Sequence, residues 1–83
     1  MNVLYFAWVR QKIGHSEDVI EHNPSLRTVG DLAAFLCAQG GGYAEAFADM
    51  SRLRAAVNQV HASLDTVLAA GDEVAFFPPV TGG

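Results

Sequence analysis

The sequence predicts an α+β fold, a mixed sheet of about five strands packed on one main helix, and three observations carry that prediction. Breaker-free runs rich in Val, Leu and aromatic residues stand near both ends of the chain, Asn2–Val9 and Glu73–Phe77, and read as strands. Between them lies a segment with apolar residues at helical spacing behind an N-terminal capping signature. The chain has 83 residues, 51% of them apolar, which is enough for one core and leaves no room for a second domain.

Asn2 to Val9 is apolar on both faces, as a central strand is. Arg10 to Gly14 is a short polar turn closed by glycine, and Glu17–Glu21 is a second strand hairpinned to the first. His22 to Ser25 ends it. Thr28 followed by Asp31 resembles a capping box, with Asp in place of Glu. Val29, Leu32, Phe35 and Leu36 then form the stripe of the main helix, which Gly40-Gly41-Gly42 stops as a loop. Tyr43, Phe47 and Met50 repeat at i, i+4, i+7 and indicate a second, shorter helical piece. Leu53–Asn58 is a strand and Asn58-Gln59 begins a turn. Ser63 to Ala70 admits a short strand followed by a turn. Gly71-Asp72 is a turn signal, with the Asp72 side chain bonding to backbone, and Pro78-Pro79 ends the last strand. The order β-β-α-(α)-β-(β)-β suits a ubiquitin-like β-grasp over residues 1–79, followed by an extended tail over 80–83.

Composition removes several functions. The net charge is −4, and the five basic residues do not cluster into the electropositive stripe that nucleic acid requires. No apolar run approaches the ~20 residues that span a bilayer, and the N-terminus lacks a signal peptide's basic start. A cytoplasmic protein is expected. Cys37 is the single cysteine, so no internal disulfide and no cysteine-based metal cage can form, and its place in the helical stripe reads as a small buried residue. His15, His22 and His61 lack metal-ligand spacing and read as solvated or hydrogen-bonded side chains. Gly40-Gly41-Gly42 lacks the Lys-Ser/Thr of a phosphate loop.

The informative segment is the end, Glu73-Val74-Ala75-Phe76-Phe77-Pro78-Pro79-Val80-Thr81-Gly82-Gly83. Two prolines fix φ, remove two donors and stop further sheet pairing. A terminal Gly-Gly arises by chance in only about one chain in 200 at a glycine usage of ~7%, so this one calls for a reason. Bare backbone threads a channel where side chains would clash. The free carboxylate at the tip becomes an acyl donor once adenylation turns an oxygen into a leaving group.

These residues resemble a known family, the small sulfur-carrier subunit of molybdopterin synthase, a ubiquitin-like β-grasp family. The resemblance rests on Ala56-Val57-Asn58-Gln59, Leu64-Asp65 and the run from Gly71 to Gly83, with Leu4-Tyr5-Phe6-Ala7, Arg10 and Gly14 near the start. It implies that an E1-like enzyme uses ATP to adenylate Gly83, and that a desulfurase or rhodanese-type donor turns the adenylate into a thiocarboxylate. The tail, Val80, Thr81, Gly82 and Gly83, then enters the large subunit's active site. There its sulfur passes to a cyclic pyranopterin monophosphate, in a heterotetramer with one carrier at each end of a large-subunit dimer. By the same resemblance the chain is a co-substrate subunit with no catalytic side chain, no metal and no permanent cofactor. Phe6, Phe76, Phe77, Pro78 and Pro79 are the expected docking surface. Carriers for thiazole, tRNA-thiolation or cysteine-synthesis pathways, a lysine-conjugating modifier, and an interaction module with inert glycines are the alternative readings.

Overall fold

The computed structural model describes residues 1–79. Five strands form one sheet: β1 (Asn2–Tyr5), β2 (Glu17–Val19), β3 (Arg54–Val57), β4 (Val60–Ala62) and β5 (Glu73–Phe77), in the order β2-β1-β5-β3-β4. β1 and β5 run parallel in register, Val3 opposite Val74 and Tyr5 opposite Phe76, and the other neighbours are antiparallel. The sheet is therefore mixed, and the first and last segments of the chain are its interior strands. That position explains their apolar runs.

Alternation divides the sheet into two faces. Val3, Tyr5, Ala55, Val74 and Phe76 are buried against the helices. Above them lies α2 (Val29–Cys37), whose buried stripe is Val29, Leu32, Ala33 and Leu36. The predicted capping box is present: Thr28 Oγ1 accepts from the Asp31 N–H at 3.1 Å, and Asp31 Oδ2 accepts from the Thr28 N–H at 3.1 Å. Phe35 departs from the expected stripe. It falls beside the Leu32–Leu36 line and stays 39% exposed.

The largest departure is α1 (Ala7–Ile13), where the sequence pattern gave a strand through Val9 and then a turn. β1 stops at Tyr5, the chain turns at Ala7 through a positive φ of 53°, and Gly14 caps the helix at φ 98°. Val9 is buried and Trp8 and Ile13 pack partly against the core. Arg10 and Lys12 occupy the last turn, where cations suit the helix dipole. An uninterrupted apolar run over Asn2–Val9 hid this change of period.

The glycine run is also more than a loop. Gly40 and Gly41 have positive φ, and α3 (Gly41–Phe47) begins inside the run. A Cβ on Gly42 would lie 1.9 Å from the Lys12 carbonyl oxygen, so only glycine lets α3 start against the end of α1. Phe47 is buried and stacks edge-on to Phe76 at 5.0 Å between ring centroids. Met50, the last of that predicted helical series, lies instead in a 3₁₀ turn, Met50–Arg52.

β3 and β4 form a tight hairpin through Asn58 and Gln59, both at positive φ as a two-residue primed turn requires. The fourth strand is thus Val60–Ala62 and not part of Ser63–Ala70, which is loop apart from one bridge between Val67 and Thr28. Among the described residues no helix is long and apolar enough to cross a membrane.

Candidate functional site at the end of the last strand

The β5 strand enters the sheet at a firmly held turn. Asp72 accepts from the Ala69 N–H at 2.8 Å and from Asn58 Nδ2 at 3.0 Å, which holds its carboxyl below the usual range. Asn58 Oδ1 in turn accepts from the Glu73 N–H at 3.0 Å. Asp72 is the turn residue its place beside Gly71 suggested. From there β5 runs through the centre of the sheet and delivers the chain to Pro78 and Pro79, both half-buried.

Three elements surround that exit. Phe6 follows β1 and is tied to β5 by its N–H donating to the Phe76 carbonyl at 3.1 Å; its side chain is 47% exposed. Arg54, the first residue of β3, is registered opposite Phe77. His61 of β4 lies edge-on to the Phe77 ring, with centroids 5.7 Å apart. The sheet face away from the helices carries a row running His61, Ala56, Ala75, Leu4, Glu17 across all five strands. Small side chains at its centre leave a shallow apolar surface beside Phe77.

The expected docking residues therefore separate. Phe6 and Phe77, with Pro78 and Pro79, reach the surface at the exit, whereas Phe76 is fully buried. Strand alternation turns Phe76 inward, where Phe47 meets it, and it offers no surface to a partner. Val80, Thr81, Gly82 and Gly83, the tail on which the transfer chemistry was expected, lie outside the described residues.

Two features escaped the sequence reading. The Arg52 guanidinium sits 5.0 Å from the centre of the Trp8 ring, a cation–π stack at the β5 exit. Reading Trp8 as a strand residue removed any reason to pair it with Arg52. On the flank of the sheet, Asp18 Oδ2 accepts from Tyr5 Oη at 2.9 Å and from Tyr43 Oη, and His15 Nε2 lies 2.9 Å away. Burial pushes the Asp18 carboxyl up, but the hydrogen bonds from Tyr43, His15 and Tyr5 outweigh it and leave it below its ordinary value. Burial and the Asp18 charge raise both phenols, Tyr43 to about 12. The cluster joins β1, β2 and α3 and has the form of a brace. Among the described residues, no group of three His, Cys, Asp or Glu side chains is placed to hold a metal.

The chain is similar to several known proteins. The molybdopterin synthase sulfur carrier subunit of Escherichia coli is 47% identical over the whole chain and 99% of its own length. A putative molybdopterin converting factor subunit 1 from Pyrococcus furiosus has the same fold, with a TM-score of 0.76 and 34% identity over 95% of each chain. A Helicobacter pylori structure, a complex of subunits 1 and 2 of molybdopterin-converting factor, matches at TM-score 0.66 and 25% identity, covering 99% of this chain and 96% of that one. The ThiS family model matches residues 3–83. With the β-grasp architecture, the full-length relatives and that family match in agreement, the chain belongs to the ThiS family.

Proposed function

We propose that the chain is the sulfur-carrier subunit of molybdopterin synthase, with the Gly83 carboxylate as its reacting group. The observation that carries this reading is the path of β5. The central strand of a braced sheet ends in Pro78-Pro79 and leads within four residues to a terminal Gly-Gly. The full-length similarity to named carrier subunits supports it, as does the Helicobacter pylori complex of two subunits.

On this reading an E1-like enzyme transfers AMP from ATP to the Gly83 carboxylate, releasing pyrophosphate. The terminal sulfur of a donor persulfide attacks the carbonyl carbon, AMP leaves, and reduction of the resulting acyl disulfide by a thiol frees the thiocarboxylate. The tail then inserts into the large subunit, and sulfur passes to a cyclic pyranopterin monophosphate. The chain's own work is presentation. Pro78 and Pro79 restrict the stem before binding and lower the ordering cost. Glycines at the tip let backbone alone occupy the channel. Phe6, Phe77 and the apolar row around Ala75 dock the partner, with Val80 to Gly83 held by main-chain contacts in its channel.

Intact mass tests the reading. Incubation with an E1-like activator, ATP and a sulfur source should replace one terminal oxygen by sulfur, and a Gly83-deleted chain should stay unchanged. Unaltered wild-type mass with several competent activators overturns it. A ladder of lysine conjugates with no sulfur gain would favour a protein modifier instead.

A further inference from the structure

The exit of β5 has a local charge opposite in sign to the chain's net charge of −4. The chain has nine acidic residues against five basic ones, yet Arg52 and Arg54 both stand within two residues of the β3 position paired with Phe77. Both are exposed residues, yet their guanidinium groups are held. Arg52 lies over the Trp8 ring at 5.0 Å, and Arg54 Nη1 donates to the Leu53 carbonyl at 2.8 Å and the Ser51 carbonyl at 3.3 Å. Among the described residues neither has a carboxylate within ion-pairing distance. Asp49, the nearest acid in sequence, is occupied by the Ser51 N–H and hydroxyl. Among the described residues the result is two oriented cations outside any ion pair, with the Asp49 charge acting on Arg52 from beyond contact distance, beside the point where the chain leaves the fold.

The tether is short. Four residues follow Pro79, and fully extended they reach at most about 14 Å. Any protein that takes the Gly83 carboxylate into a recessed site must bring the rim of that site against the domain around β5. The surface next to the exit is then an interface by geometry, and its charge selects the partner.

We infer that Arg52 and Arg54, with Trp8 holding Arg52 in place, form a cationic collar that receives an acidic rim around the partner's tail channel. This rests on the carrier reading above, with the large synthase subunit as the partner tested. The collar acts chiefly on encounter. Rim charges steer association and set orientation, while the apolar surface at Phe6 and Phe77 governs residence. A protein of net charge −4 is otherwise repelled by an acidic rim, so two local cations at the exit make approach tail-first.

Stopped-flow association of the full chain with the large subunit, at low and high salt, tests the collar. The Arg52→Glu/Arg54→Glu double variant should associate at least about tenfold more slowly at low salt, and the difference should shrink in high salt. The control, Lys12→Glu/Arg27→Glu, makes the same change in net charge at the end of α1 and before α2, and should slow association far less. Thermal melts of all variants establish that each is folded. Equal slowing in the two double variants reduces the effect to net charge and overturns the collar, as does an unchanged rate in the Arg52/Arg54 variant. The carrier reading fails separately, by wild-type chain that never gains sulfur, a readout that association rates do not enter.

Discussion

The two ends of β5 are built differently. At its start, Asn58 donates to the Asp72 carboxylate, Asp72 accepts from the Ala69 N–H, Asn58 accepts from the Glu73 N–H, and the Asn2 N–H donates to the Asp72 carbonyl at 3.0 Å. At its finish, two prolines supply no donors, and the surroundings are Phe6, Phe77 and a pair of arginines. One end is anchored and the other presents. A carrier needs both, because a tail aimed from a loose strand would sacrifice in ordering entropy what its short reach gains in position.

Adjacent residues at the presenting end give the largest test of that contrast. Phe76→Ala removes a fully buried ring that meets Phe47, and should cost about 3–5 kcal/mol, a large part of the ~4–12 kcal/mol available to a chain of this size. Phe77→Ala, on the opposite face, should cost stability under about 1.5 kcal/mol yet weaken the partner complex roughly tenfold, as loss of a docking aromatic does. Urea melts and a binding titration on the two variants check both halves. A Phe77→Ala chain that binds the large subunit as tightly as wild type removes Phe77 from the interface.

Much of this was legible in the sequence, for identifiable reasons. Thr28 with Asp31, Asn58-Gln59 and Gly71-Asp72 are local signals whose chemistry acts within a few residues, and the structure has each where it was read. Phe76 and Phe77 were both expected at the docking surface, because strand alternation places neighbours on opposite faces without saying which face the core takes. Helix α1 was hidden because a strand and a helix follow each other with one residue, Phe6, between them and no polar break. Losing α1 also lost Trp8–Arg52, the contact of the 3₁₀ turn with that helix. The hub around Asp18 joins residues 13 and 25 positions apart, and no periodicity encodes such a meeting.

The bracing of the presenting end is tested next by Gly42→Ala. The added methyl would drive into the Lys12 carbonyl, a backbone atom that cannot rotate away, so α1 and α3 must part. A loss of about 1–3 kcal/mol is expected, as for other overpacked contacts. If α1 positions Phe6 and Trp8 at the exit, the same variant should slow association with the partner under conditions where it remains folded. Substitution of Gly40, whose added Cβ meets nothing within 4 Å, should act through its backbone alone, since φ 80° with ψ −172° is a conformation that essentially only glycine adopts. It should cost about 1–3 kcal/mol without parting α1 from α3.

The smallest effect belongs to the hub, and it is resolved by pH. Tyr5, the last residue of β1, stands opposite Phe76, so its bond to Asp18 steadies the flank of the exit. The Asp18 carboxyl is depressed in the fold, so its contribution is present above its unfolded value, about 4, and is lost as pH falls through the lower folded value. Tyr43 is raised to about 12, so its contribution is present below its unfolded value near 10 and is lost as pH rises through 12. Asp18→Asn keeps the size of the side chain but gives up the charge, and should cost about 1–2 kcal/mol at neutral pH. The difference between wild type and variant should close on acidification below about pH 4. A gap that persists unchanged at pH 3 would mean that Asp18 acts through shape alone, and the flank of the exit would then owe its rigidity to packing and not to charge.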